Sequence, residues 1–207
     1  MLAPLKILLI RHAKPVDFER VPGHVHRDGR RSEWNDRPLS PQGIHDAKEL
    51  VATLATESPI AIYSSPYMRA RQTVEPLAKH LGIAIEIVDD LRERLLAPNL
   101  NDDWQIQMRR VWQDFAVALP GGESSRQAQH RVLRVLDELQ TRHATRTIVV
   151  ASHGNLIALA LHAMANGIDH DFWKAMPLPA VYSLERAANG WRGAVKDVVP
   201  ADKVKAA

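Results

Sequence analysis

Four short apolar runs separated by stretches of helical spacing limit this chain to few architectures. They are "KILLI" (Lys6 to Ile10), "IAIYSS" (Ile60 to Ser65), "IAIEIV" (Ile83 to Val88) and "TIVVAS" (Thr147 to Ser152). The first and last read as buried strands, too brief for a helix that could hold itself together, and the other two as short strands. Ser40-Pro41 marks a helix start, with Ile44, Ala47, Leu50, Val51 and Leu54 on one face. A second helix is expected over "SPYMRARQTVEPLAKHLG", capped by Ser65, stopped by Gly82 and broken or kinked by Pro76. Asp102 to Leu119 carries Trp104, Met108, Val111, Trp112 and Phe115 at helical intervals. Ser124 and Gln127 form a capping box before another helix, and "LIALALHAM" follows the fourth run. Asn189-Gly190 lies between strand-like runs and predicts a hairpin.

Strands alternating with helices, then a hairpin, predict an α/β fold: a three-layer αβα sandwich with a mostly parallel central sheet plus an antiparallel C-terminal hairpin. No Pro/Gly/Ser linker divides residues 1–207, so a single domain is expected.

Composition excludes several functions. Lys and Arg exceed Asp and Glu by 27 − 24 = 3, which mildly favours anionic ligands, yet aromatics are only 5% and no basic stripe suggests nucleic acid. With no cysteine, thiolate metal sites and a cysteine nucleophile are ruled out. The apolar runs are far shorter than the roughly 20 residues of a membrane span, and no signal-peptide pattern opens the chain. A cytoplasmic enzyme without membrane or nucleic-acid partners is expected. No coiled-coil pattern indicates an oligomeric state.

In open α/β sheets, ligands bind beyond the carboxyl ends of the strands. Arg11-His12 follows the first run, Arg69 and Arg71 begin the helix after the second, Glu93 follows the third and His153 the fourth. A second Arg-His-Ala copy, Arg142 to Ala144, instead ends a helix, where cations are favoured by the dipole. Arginines, histidines and one carboxylate at one sheet edge suit phosphoryl transfer, in which charge neutralisation and positioning dominate. Guanidinium forks grip two phosphate oxygens at once. An imidazole beside permanent cations stays neutral and can attack as a nucleophile.

Six blocks then carry a family resemblance: "LLIRHAKP", "DRPLSPQG" (Asp36 to Gly43), "SSPYMRARQTV" (Ser64 to Val74), "LRER" (Leu91 to Arg94), "GGES" (Gly121 to Ser124) and "VVASHGN" (Val149 to Asn155). In this order they resemble the histidine phosphatase, or phosphoglycerate mutase-like, superfamily. The resemblance implies a hydrolase acting on a small phosphate monoester through a phosphohistidine intermediate, without metal or other cofactor. It makes His12 the nucleophile; Arg11, Arg69 and a positively charged His153 the phosphoryl ligands; and Glu93 the proton donor and acceptor. Arg71 matches no catalytic position, and Glu123 is a candidate loop tether.

Ala13 stands where the family usually has glycine, which requires a negative φ there. Phe18 falls where the mutases present Asn, which weakens a mutase reading. Cofactor-dependent mutase activity and a non-catalytic phosphate-binding module remain the alternatives. Segments 16–35 and 94–110, with Arg20, Arg27, Arg30, Arg31, Trp34, Trp104, Arg109 and Arg110, are the candidates for specificity.

Overall fold

The computed structural model describes residues 5–17, 37–97, 104–187 and 190–197. In chain order these form β1 (Lys6–Arg11), α1 (Pro41–Ala55), β2 (Ile62–Ser64), α2 (Met68–Leu81), β3 (Ile85–Ile87), α3 (Trp104–Gln113), α4 (Ser125–His143), β4 (Thr147–Ser152), α5 (Gly154–His162), α6 (His170–Ala175), β5 (Ala180–Ala187) and β6 (Gly190–Asp197). One six-stranded sheet has the order β3-β2-β4-β1-β5-β6. The first four strands in that order pair in parallel, and β5 and β6 add antiparallel at the β1 side.

Side-chain alternation along β1 builds the two outer interfaces. Ile7 and Leu9 face the side covered by α3, α4 and α5, while Leu8 and Ile10 face α1 and α2. All four are essentially inaccessible, so the apolar run is a strand buried on both faces, and the three-layer sandwich predicted from the alternation is observed. No helix among the described residues is long and apolar enough to cross a membrane.

Several boundaries differ from the sequence reading. The capping box at α4 forms as expected, with Ser124 and Gln127 each receiving a backbone N–H. Pro76 lies inside α2 without ending it. Ser65 does not cap α2: its hydroxyl accepts the Tyr67 N–H at 3.2 Å, one residue before the helix begins. The helix expected to reach Leu119 stops at Gln113, where the Asp114 carboxylate takes the Ala116 N–H at 2.9 Å and offers the chain a local turn instead. Asp102 and Asn189, like Phe18 and most of segment 16–35, lie outside the described residues.

Candidate active site

Register brings the two histidines together. Along the parallel β1–β4 pair Arg11 lies opposite Ser152, so the next residues, His12 and His153, leave the sheet side by side. The His12 N–H donates to Ser152 O at 3.1 Å, and the imidazole centroids are 5.3 Å apart. On the other flank of β4, Ser65 N donates to Ala151 O at 2.9 Å, and the short link after β2 carries the chain into α2, whose second residue is Arg69. The fourth strand end contributes through a 3₁₀ turn, Asp89–Leu91, pinned by the Ser152 hydroxyl on Leu91 O at 2.7 Å. Glu93 follows two residues later.

The His12 ring is held in one tautomer. Nδ1 lies 2.8 Å from its neighbour's carbonyl, Ala13 O, which only an N–H can satisfy. Nε2 must therefore be the lone-pair nitrogen, and it accepts the Arg69 Nε–H at 3.1 Å. Burial, then the charges of Arg69, Arg11 and Arg37, push the imidazole well below its ordinary pKa, so it is neutral near pH 7. Thr73 braces both partners, accepting the Ala13 N–H at 2.9 Å and donating to Arg69 O at 2.7 Å. Ala13 meets the steric condition set by its missing glycine: among the described residues, positive φ at a non-glycine occurs only at Ser58 and Ala144.

His153 is the more deeply buried of the two rings. It is fully buried, and burial, Arg69, His12 and Arg11 lower its pKa well below the usual value. Before any anion binds it is a neutral ring. Its Nε2 lies 2.7 Å from the Ser65 hydroxyl, which already accepts the Tyr67 N–H. Which of the two donates in that contact depends on the tautomer, and Nδ1 is buried and without a partner among the described residues. Tyr67 packs edge-on against the His153 ring at 4.9 Å and lies under the Arg69 guanidinium.

Arg11 anchors one terminal nitrogen on the Met176 and Pro177 carbonyls. Its Nε packs on Gly154, where an added Cβ would come within 2.8 Å. Arg69 is 3% exposed, and burial draws its pKa down to about 10, which still leaves it charged at neutral pH. Arg71 is exposed, as a helix-surface charge should be.

Glu93 faces the start of α5, which has no capping side chain because His153 occupies the N-cap. Its Oε1 accepts the N–H groups of Arg94 and Leu156 at 2.9 and 3.0 Å, and Oε2 accepts that of Asn155 at 3.1 Å. A carboxylate at a helix start answers both the orphan donors and the dipole. Glu123 and Arg131 secure the preceding segment: they pair bidentately at 2.7 and 2.8 Å, and Arg131 also donates to the carbonyls of Asp90 and Arg92. Glu123 is thus the tether the sequence suggested.

These groups open on a cavity of about 270 Å³ lined by Arg11, His12, Lys14, Pro15, Asp17, Arg37, Arg69, Glu93 and Leu178. Four of the five predicted residues line it directly, and His153 touches it through the His12 ring. Sequence reasoning missed Lys14, Pro15, Arg37 and Leu178 as lining residues, whereas Asp17 falls in segment 16–35, already a candidate for specificity. Arg37 sits inside the "DRPLS" block, three residues before the Ser40 cap, and its position in that block was the available signal. Trp104 and Arg109, two of the candidates for specificity, line another cavity of about 360 Å³ with Met108 and Trp173. Arg20, Arg27, Arg30, Arg31 and Trp34 lie outside the described residues.

Comparison with known proteins places the chain in a family. The sequence profile of the histidine phosphatase superfamily (branch 1) matches residues 7–196. Phosphoserine phosphatase 1 of Hydrogenobacter thermophilus is 30% identical over 187 residues, 82% of this chain and 80% of its own. Glucosyl-3-phosphoglycerate phosphatase of Mycolicibacterium vanbaalenii is 32% identical over 160 residues, 68% of each chain. The solved structure of a mycobacterial glucosyl-3-phosphoglycerate phosphatase shares the fold, with a TM-score of 0.70 at 24% identity over 93% of this chain and 98% of that one.

Proposed function

The chain belongs to the histidine phosphatase superfamily, branch 1, and from that premise we propose that it is a phosphatase hydrolysing a small phosphate monoester through a phosphohistidine, in one cytoplasmic domain spanning residues 1–207. The observation that carries the reading is the neutral His12 ring, with Nδ1–H fixed on Ala13 O and the Nε2 lone pair turned to Arg69 beside an acidic side chain. The relatives named phosphatases support the same reaction class.

In the first step Arg69 turns from Nε2 to the phosphoryl oxygens, which Arg11 also meets, with His153 as the further ligand behind the His12 ring. Nε2 forms a bond to phosphorus as the ester P–O bond breaks, and Glu93 gives its proton to the departing oxygen. Oε2 carries that proton, since it accepts one backbone N–H and Oε1 accepts two. In the second step water adds to phosphorus, its proton passes to Glu93, and the P–N bond returns its electron pair to Nε2. The arginines supply the charge neutralisation, so no metal or cofactor enters either step.

Rapid mixing with p-nitrophenyl phosphate and an acid quench tests this. Wild-type protein should hold an acid-labile phosphate, and His12→Ala should lose both that phosphate and turnover. Turnover retained by His12→Ala would defeat the assignment.

A further inference from the structure

One turn of α2 reaches both nitrogens of the His12 ring. Arg69 meets Nε2 directly, through its Nε–H at 3.1 Å. Thr73 lies four residues on and therefore on the same helix face, and it reaches the other nitrogen through Ala13. Its hydroxyl oxygen accepts the Ala13 N–H at 2.9 Å, and Ala13 O takes the His12 Nδ1–H at 2.8 Å. The hydroxyl proton is committed to Arg69 O at 2.7 Å, so Thr73 presents a lone pair to Ala13.

Ala13 is inaccessible, and its methyl group packs with Leu39 and Ala47. Leu39 is itself tied to α2, where the Gln72 side-chain carbonyl accepts its N–H at 2.8 Å. A buried N–H that loses its acceptor bears the full desolvation cost of that group. Without the Thr73 oxygen the Ala13 backbone must therefore move to find another partner, and its carbonyl moves with it. That carbonyl decides which His12 nitrogen carries the proton, because the tautomer of a neutral imidazole follows the hydrogen bonds its nitrogens make. Thr73 does not line the cavity of His12, so its influence on the reacting nitrogen passes through Ala13.

Resting on the phosphatase reading, we propose that Thr73 is a positioning residue for the reaction: it sets His12 in the tautomer whose Nε2 lone pair attacks phosphorus. Thr73→Val keeps the side-chain shape and removes the acceptor, whereas Thr73→Ser keeps the acceptor and removes the methyl group. Nitrogen-15 NMR of histidine-labelled protein at pH 7.5 reads the tautomer, with the His12 signals identified by their absence from His12→Gln. Wild type and Thr73→Ser should carry the His12 proton on Nδ1, and Thr73→Val should carry it on Nε2 or average it over both nitrogens. With p-nitrophenyl phosphate, Thr73→Val should lose at least tenfold in kcat, toward the about 10²-fold that an ångström of misplacement can cost, with the loss carried by kcat rather than KM. Thr73→Ser should restore kcat. A proton still fixed on Nδ1 in Thr73→Val, a smaller loss of kcat, a loss carried by KM, or an equal loss in Thr73→Ser overturns the proposal. If Thr73→Val does not fold, Thr73→Cys, whose thiol is a weak acceptor, takes its place under the same criteria. Failure of the phosphatase reading appears separately, as absent turnover in the wild type, and the NMR measurement does not depend on turnover.

Discussion

Burying two neutral imidazoles makes the stability of this protein depend on pH in a calculable way. His12 and His153 are 8% and 0% exposed, and both have pKa values well below 6.5 in the folded state. In the unfolded chain each titrates near 6.5. Their folded values are depressed, so their contribution is present in full above about pH 6.5 and is lost as the pH falls from there toward the folded pKa. Protons then bind the unfolded chain preferentially. Moving from pH 7.5 to 5.5 costs roughly 1 kcal/mol per imidazole whose folded pKa lies below that window, and therefore roughly 2–3 kcal/mol for the pair. Urea unfolding at the two pH values, in buffer free of phosphate, measures the difference directly. The double variant His12→Gln/His153→Gln should show a pH-dependent loss smaller than that of the wild type by about this amount. Comparison with the wild type also cancels other titrating groups, including His143, whose pKa burial lowers. An equal loss in both proteins would refute the neutral, buried state assigned to these rings.

Glu93→Gln should cut turnover of an alkyl phosphate by about 10²–10⁴-fold, the range for a positioned acid, but cost less with p-nitrophenyl phosphate, whose departing oxygen needs no proton; steady-state kinetics showing equal losses would remove the acid role. Arg131→Met strands the Glu123 carboxylate and frees the Asp90 and Arg92 carbonyls, so a destabilisation of about 3–5 kcal/mol is expected for a broken buried pair. Calorimetry should register this as a fall in Tm of roughly 6–20 °C at about 2–4 °C per kcal/mol, and a fall under 2 °C would show that the tether contributes little. Gly43→Ala drives a methyl group into the Lys14 carbonyl, whereas Gly154→Ala meets the movable Arg11 side chain. Thermal melts should therefore place Gly43→Ala below Gly154→Ala, with Gly154→Ala showing the larger rise in KM; the reverse order would contradict the close approaches seen here.

The parts of this site that follow from local rules were readable in the residues, and the parts that depend on distant pairing were not. Arg11, His12 and His153 sit at the ends of apolar runs, so the strand-end rule placed them once the runs were taken as neighbouring parallel strands, and the Arg11–Ser152 register bears this out. Arg69 and Arg71 were indistinguishable by helix position alone. Only packing of α2 against the sheet buries the first and exposes the second. A histidine near a phosphate suggests a cation, which is what the sequence reading expects of His153 with substrate bound. Complete burial beside Arg69 and Arg11 outweighs that attraction before any anion arrives.

Glu93 shows why a motif can be read while its physical role is not. Local capping rules look for Ser, Thr, Asp or Asn immediately before a helix, and at α5 they find His153, whose side chain caps nothing. The first N–H groups of that helix must then be satisfied from elsewhere, and the donors of Asn155 and Leu156 reach Glu93, more than sixty positions away. One carboxylate therefore both closes the helix start and faces the cavity of His12. That dual placement couples the acid's position to the same helix that begins beside His153, so displacing α5 moves the proposed acid and one proposed phosphoryl ligand together. A helix start that lacks its own cap is visible in sequence, and here it marks the point toward which a distant functional acid is drawn.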